Sequence, residues 1–347
     1  MINATVSFAC LLWIAVSFFI FLRKPFKEAI LTSFFCGWMF LPIFSIPISG
    51  LPDIDKSSLI VLNIFFLCFL WELRGKVKRP KLLIQKFDII VITYVFTYLI
   101  TAQLNGLGVY DGFSRAVSRS IEVAIPYFIG RLYFSSLSSH SLIAKSYLYS
   151  VFLYLPLALY EIRFSPQLHS MVYGYAQHSF AQTDRDGVWR PMIFMRHGLE
   201  VALWMALAGI IGIWLIRTRI ITKGFTIITV GLLCIITILG QSWGSIILLL
   251  IAISTLVMCH FFKMGLPFIL LFIFPVFYIT NRILNLQLER PIIEVSRGIL
   301  PLRRFRSVTY RVDQEYKLIN HDNQRMFFGW GAFGRDRGHC TGREAFS

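Results

Sequence analysis

The chain has 347 residues, 56% of them hydrophobic and only 15% charged, with a formal net charge of +16. Soluble domains carry about 25% charged residues, and here the apolar excess falls in long runs, which excludes an ordinary globular protein and indicates a polytopic membrane protein. The positive charge does not point to nucleic acid, because the lysines and arginines sit in short loops between apolar runs and in one long terminal segment.

Crossing a bilayer takes about 20 apolar residues. Ten candidate spans follow in chain order, at roughly 3–22, 29–49, 58–73, 87–104, 117–136, 141–162, 191–214, 225–241, 243–262 and 264–281. The first has no basic residue before it and no clear small-residue cleavage site after it, so it reads as a retained helix rather than a signal peptide. The third and eighth are short, and the hinge "QSWG" between the eighth and ninth leaves open a helical hairpin that dips in and returns. No internal repeat and no low-complexity linker is evident. Cys10, Cys36, Cys68, Cys234 and Cys259 lie inside apolar runs and Cys340 stands alone in the tail, without CxxC or Cys/His spacing. Neither a disulfide framework nor a zinc site is expected, and no cofactor.

The charges orient the spans. Arg23, Lys24 and Lys27 follow the first, Arg74 to Lys86 the third, Arg217, Arg219 and Lys223 the seventh, and Lys263 the ninth. Read by the positive-inside rule, these loops are cytoplasmic. The N-terminus, the loop 163–190 and the segment 282–347 then lie outside. The chain is thus expected to be an all-α polytopic membrane protein, with a membrane domain over 1–281 and a large non-cytoplasmic C-terminal segment over 282–347.

Ionisable groups inside spans cost about 2.5–3.5 kcal/mol each at a helix centre and should face protein or a wet cavity. Glu122 and Arg131 lie in the fifth span, where each is a candidate tie between helices or a functional group. Arg196, His197 and Glu200 lie in the seventh. With Pro191 as its first helical residue and Trp189 as interfacial anchor, Arg196 lies about 7–8 Å deep and Glu200 about 13–14 Å. Arg196 and Glu200 share a helix face at this spacing. The expected picture is a polar cavity that opens outward, rimmed by Arg190 and floored by Glu200. A simple Arg196–Glu200 pair is the plainer alternative, and His197 reads more readily as a satisfied interior histidine.

The segment 282–347 holds twelve basic residues, eleven of them arginine. Guanidinium binds phosphate through two parallel N–H bonds, where lysine is a point charge; attraction to anionic headgroups is the alternative. In "SVTYRVDQEYKLINHDNQRMFFGWG", Val308, Val312, Tyr316 and Ile319 recur at helical spacing, and Arg311 and Glu315 share a face. This reads as an amphipathic helix ending before a turn in which Gly329 and Gly331 permit positive φ and close approach.

Two stretches, "DRDGVWRPMIFMRHGLEVALWMA" and "YRVDQEYKLINHDNQRMFFGWGAFGR", resemble the bacterial O-antigen ligase and O-antigen polymerase superfamily, with weaker support from "PYFIGRLYF" and "GQSWGSIILLL". The resemblance covers most of residues 88–338. It departs from the ligase pattern after the Gly-x-Gly turn: His339 stands in a different context, and the chain stops at Ser347 without further apolar spans, as a truncated family member would. The family chemistry implies transfer of a glycan from a polyprenyl diphosphate donor to an acceptor glycan or lipid hydroxyl, on the outer face of the bacterial inner membrane. On that footing Arg190 and Arg311 are expected to clamp the diphosphate, with Arg196 and Arg325 as second choices. His197, Glu200, Glu315 and His321 are the candidate bases, and the sequence does not choose among them. No obvious carboxylate cluster calls for a divalent metal. A polymerase is favoured over a ligase. A transporter or flippase for an anionic amphiphile also wants arginines in an outward cavity, but an internal repeat would be expected of it. An inactive, truncated membrane subunit is the third reading.

Overall fold

The computed structural model describes residues 3–48, 52–78, 83–180, 183–185, 187–222, 224–240, 242–263, 265–284, 286–288, 290–298, 302–325 and 328–330. It is mostly helical, with almost no sheet. The helices are α1 (Ala4–Arg23), α2 (Phe26–Phe40), α3 (Lys56–Leu73), α4 (Lys86–Leu104), α5 (Val109–Arg119), α6 (Ile125–Tyr133), α7 (Leu137–Phe164), α8 (Leu168–Tyr173), α9 (Gly198–Arg217), α10 (Gly224–Leu239), α11 (Trp243–Phe262), α12 (Leu266–Ile283), α13 (Arg290–Arg297) and α14 (Leu302–Asp322). Two short antiparallel hairpins, β1 (Ser45–Ile46) with β2 (Ile54–Asp55) and β3 (Asp184–Arg185) with β4 (Val188–Trp189), sit in the loops after α2 and α8.

Among the described residues, α1, α3, α4, α7, α9, α11 and α12, seven helices in all, are long and apolar enough to cross a membrane. Several expected spans come out differently. The helix of the second, α2, has 15 residues and ends before Pro42, and the helix of the eighth, α10, has 16. The fifth, 117–136, is divided into the end of α5, a π-helical turn at Ser120–Ala124 and α6. Pro126 accounts for that turn. It has no N–H, and its ring would press on the carbonyl of Glu122 in α-helical register; the wider π register relieves the clash.

The seventh span is the clearest correction. Its helix begins at Gly198, with His197 as N-cap, and not at Pro191. The depths reckoned from Pro191 therefore do not apply, and Arg196 precedes the helix whose face it was expected to share with Glu200.

The chain forms two compact units, one of residues 1–88 and 118–257, the other of 89–117 and 258–347. In the first unit α2, α3, α7, α9 and α10 surround a core that includes Met39, Ile60, Leu148, Tyr154, Met205 and Leu233. Small residues let the helices close: a Cβ on Gly212 would lie 2.4 Å from Val230 of α10, and one on Gly37 would lie 2.9 Å from both Ile60 and Trp13. Arg131 of α6 ties to the Asp88 carboxylate at the start of α4, which also accepts the Tyr127 hydroxyl at 2.9 Å. That answers the structural half of the question the sequence raised about Arg131.

In the second unit α14 packs on α12. Glu315 accepts the Tyr278 hydroxyl at 2.7 Å and the Arg282 guanidinium at 3.0 Å, and Arg282 also lies over the rings of Tyr278 and Tyr316.

Candidate functional site: a latched loop and a polar cavity

The segment "RPMIFMRH" (Arg190 to His197) follows the hairpin β3–β4 and runs into the first unit as non-helical backbone. Met192, Ile193 and Met195 are almost wholly buried. Backbone without helix or sheet bonds must find other partners when buried, and here side chains supply them. The N–H groups of Met192 and Ile193 each donate at 2.7 Å to one oxygen of Glu161, a fully buried residue of α7. The other Glu161 oxygen accepts the N–H of Leu168 at 3.1 Å. Phe194 N–H donates to the Tyr154 hydroxyl at 3.1 Å, which itself donates to the carbonyl of Met39 at 2.6 Å. Gln177 donates to the carbonyl of Ile193 at 3.1 Å, and Lys56 donates to that of Phe194 at 2.9 Å. Ile193 stands at φ 51°, in the left-handed region that a β-branched side chain rarely enters. Such strain costs about 1–3 kcal/mol and persists only where the surroundings over-determine it, as this set of latches does.

The loop delivers Arg196 and Glu200 to a polar cavity of about 410 Å³, whose lining also includes Trp38, Phe44, Asp55, Lys56, Ser57 and Glu122. Glu200 lies in the first turn of α9, where the helix dipole favours a carboxylate. Its oxygens accept the Trp38 indole N–H at 3.0 Å and the backbone N–H of Arg196 at 3.1 Å. Arg196 and Glu200 are thus brought together, through the arginine's backbone and not as a side-chain ion pair. Asp55 caps α3, accepting both the N–H and the hydroxyl of Ser58 at 2.8 Å. Glu122, carried in by the π-helical turn, pairs with Arg119 at 2.5 Å. The Arg196 guanidinium is exposed and has no partner among the described residues.

The remaining sequence candidates fall elsewhere. Arg190 is buried and does not line this cavity; its Cδ and Cγ occupy the space a Cβ on Gly198 would need, at 2.3 and 2.4 Å. The Nδ1 atom of His197 accepts the N–H of Leu199 at 3.0 Å, and its ring meets His178 edge-on with centroids 4.6 Å apart. The Nδ1 lone pair is thus engaged by the start of the helix that His197 caps.

Arg311, Arg325, Glu315 and His321 belong to the second unit. Arg311 is exposed on α14, and Glu315 is engaged by Tyr278 and Arg282. Trp330 stacks on His321 with centroids 4.3 Å apart, the Arg325 guanidinium lies 4.3 Å from the same indole, and Trp330 donates to the His321 carbonyl at 3.0 Å. Gly329 adopts φ 63°, and the carbonyls of Phe328 and Gly329 accept from Thr101 and Asn105 at the end of α4, at 2.9 and 3.2 Å. Gly331 and His339 lie outside the described residues.

Lys56 and Glu161 were not singled out from sequence. A lysine opening an apolar span at the end away from the basic loops, and a glutamate just inside the end of another, were the available signals. No protein-family model, no curated protein and no solved structure matches the chain.

Proposed function

We propose that the chain is a glycan-polymerase-like membrane glycosyltransferase of surface polysaccharide assembly. It moves oligosaccharide units from a polyprenyl diphosphate donor to an acceptor hydroxyl. The carrying observation is the cavity lined by both Arg196, whose guanidinium has no partner among the described residues, and the positioned carboxylate of Glu200, which the latched loop meets through the Arg196 backbone. The glycosidic bond to the lipid diphosphate breaks as the bond from the acceptor oxygen to the same carbon forms. Arg196 stabilises negative charge growing on the departing diphosphate, and Glu200 takes the proton of the acceptor hydroxyl. The cavity end faces the outside of a bacterial inner membrane. Supporting that orientation, Arg23, Arg74 and Arg217 stand at the opposite ends of α1, α3 and α9 from it. The two stretches that resemble the O-antigen ligase and polymerase superfamily supply the substrate class.

Depletion in the host tests the reading through the lipid-linked glycans. Single repeat units accumulating on the outer leaflet support a polymerase. Finished polymer stranded on its carrier indicates a ligase, units trapped on the cytoplasmic leaflet indicate a flippase, and unchanged glycans overturn all three. Arg196→Gln is expected to abolish transfer at an unchanged membrane level of the protein. Arg190 and Arg311, the pair the resemblance places on the diphosphate, belong to different units. Unchanged transfer in Arg311→Ala removes that residue from the phosphate contacts.

A further inference from the structure

The cavity that holds Arg196 has a second cation in its wall. Lys56 is the first residue of α3 and only 7% exposed. Lysine is almost never buried to this degree without a partner. Its ammonium has three donors, and among the described residues it gives one, at 2.9 Å, to the carbonyl of Phe194. A tether to one carbonyl needs only a neutral donor, which would avoid desolvating a charge. Nor does Lys56 serve the membrane's charge asymmetry, since it stands at the end of α3 away from Arg74 and Lys76.

Among the described residues no lining carboxylate accepts a hydrogen bond from it. Glu200 takes the Trp38 indole and the Arg196 backbone, Asp55 takes Ser58 twice, and Glu122 takes Arg119. Two donors of Lys56 and the guanidinium of Arg196 therefore have no partner among the described residues, and an anion bridging them would satisfy both.

Resting on the function proposed above, we infer that Lys56 contacts the ligand directly, its ammonium binding a phosphate oxygen of the donor's diphosphate alongside Arg196. The two cations divide the work. The guanidinium can grip two oxygens in its plane, while the ammonium is a point charge for a third. Because the same ammonium holds Phe194, phosphate binding and the fixed shape of the loop share one atom.

The test uses the full chain in detergent and farnesyl diphosphate as a short prenyl diphosphate probe, with affinity read by calorimetric titration. The wild type binds. Lys56→Gln weakens binding by about tenfold or more, the loss of one charge-assisted hydrogen bond, and Lys56→Arg restores most of it. The melting temperature of each unliganded variant is measured first. If Lys56→Gln does not fold, the wild type decides: bound probe slows acetylation of Lys56, read by mass spectrometry of its peptide. A wild type that binds the probe while Lys56→Gln binds equally well, or while Lys56 labels at the same rate with and without probe, overturns the assignment and leaves the proposed function standing. A wild type that does not bind the probe overturns both.

Discussion

The loop at 190–197, which leads into α9, and the turn residues 325 and 328–330, which follow α14, both carry arginine and both lie outside α-helix, yet they are held in opposite ways. The loop is buried, and side chains of α3 and α7 satisfy its backbone. The turn is partly exposed and rests on one indole between a histidine and an arginine, with two bonds to the end of α4. A buried irregular segment is fixed by the cost of leaving its polar groups unmet, which is steep. An exposed one is fixed by ring contacts worth about 0.5–1.5 kcal/mol, with water as a ready substitute for its hydrogen bonds. The first arrangement suits groups that must stand still. The second has fewer and weaker contacts to hold it.

Removing the Glu161 latch should cost most. Glu161→Ala strands the N–H groups of Met192 and Ile193 in the interior, each costing about 1–3 kcal/mol. Folded yield in membranes and melting temperature in detergent should fall steeply. Glu161→Gln, which keeps one carbonyl oxygen as acceptor, should fall less. Equal stability in the alanine variant would mean the latch holds nothing.

Next comes the helix pair beneath the loop. Gly212→Ala forces a Cβ to within 2.4 Å of Val230, whereas Gly231→Ala on α10 meets nothing within 4 Å. The former should cost about 1–3 kcal/mol through overpacking. The latter should be neutral, or stabilising by about 0.5–1 kcal/mol. Urea denaturation of the two variants side by side checks the difference, and equal midpoints would contradict the close packing of α9 on α10.

Trp330→Ala probes the turn. It removes the stack on His321 and the cation contact with Arg325, about 1 kcal/mol in all. Global melting should barely move, while trypsin should cut after Arg325 severalfold faster. An unchanged cleavage rate would mean the indole does not hold the turn.

The mildest effect is reversible. His169, on α8 outside the spans, donates from Nδ1 to the carbonyl of Tyr175 at 2.9 Å and accepts the N–H of Ile43 at Nε2 at 3.4 Å. Burial, with Lys56 adding to it, holds its imidazole below the usual histidine range, although the Tyr175 carbonyl pulls the other way. A histidine depressed in the folded state contributes stability that is full above its unfolded pKa of about 6.5 and is lost as pH falls toward the folded value. The melting temperature should therefore decline below about pH 6.5, and less so in His169→Gln. A flat profile in the wild type would remove this role.

Much of the membrane architecture was legible in the residues. Runs such as 243–262 became α11 at Trp243–Phe262 almost unchanged, because an apolar run of span length has few alternatives in a bilayer. The helix before the turn was legible for a related reason: Val308, Val312, Tyr316 and Ile319, at spacings of four, four and three, fall within α14. Of the candidate site, the nearness of Arg196 and Glu200 could be read, being local. Their geometry could not, because "PMIFM" is apolar enough to continue a helix and only Glu161 and Tyr154, about thirty to forty residues earlier in the chain, draw its N–H groups away.

Composition and pattern alone thus determined that this chain is a helical, multi-pass membrane protein and which stretches are apolar, since transfer of side chains into lipid depends on residue type and run length. The tertiary structure alone decided where α9 begins, that Arg131 answers Asp88, that Glu315 is engaged by Arg282, and that Lys56 shares a cavity with Arg196. Each of these is a pairing between residues distant in sequence. The need of a buried polar group for a partner is written in its type; the identity of the partner is set by how the helices pack.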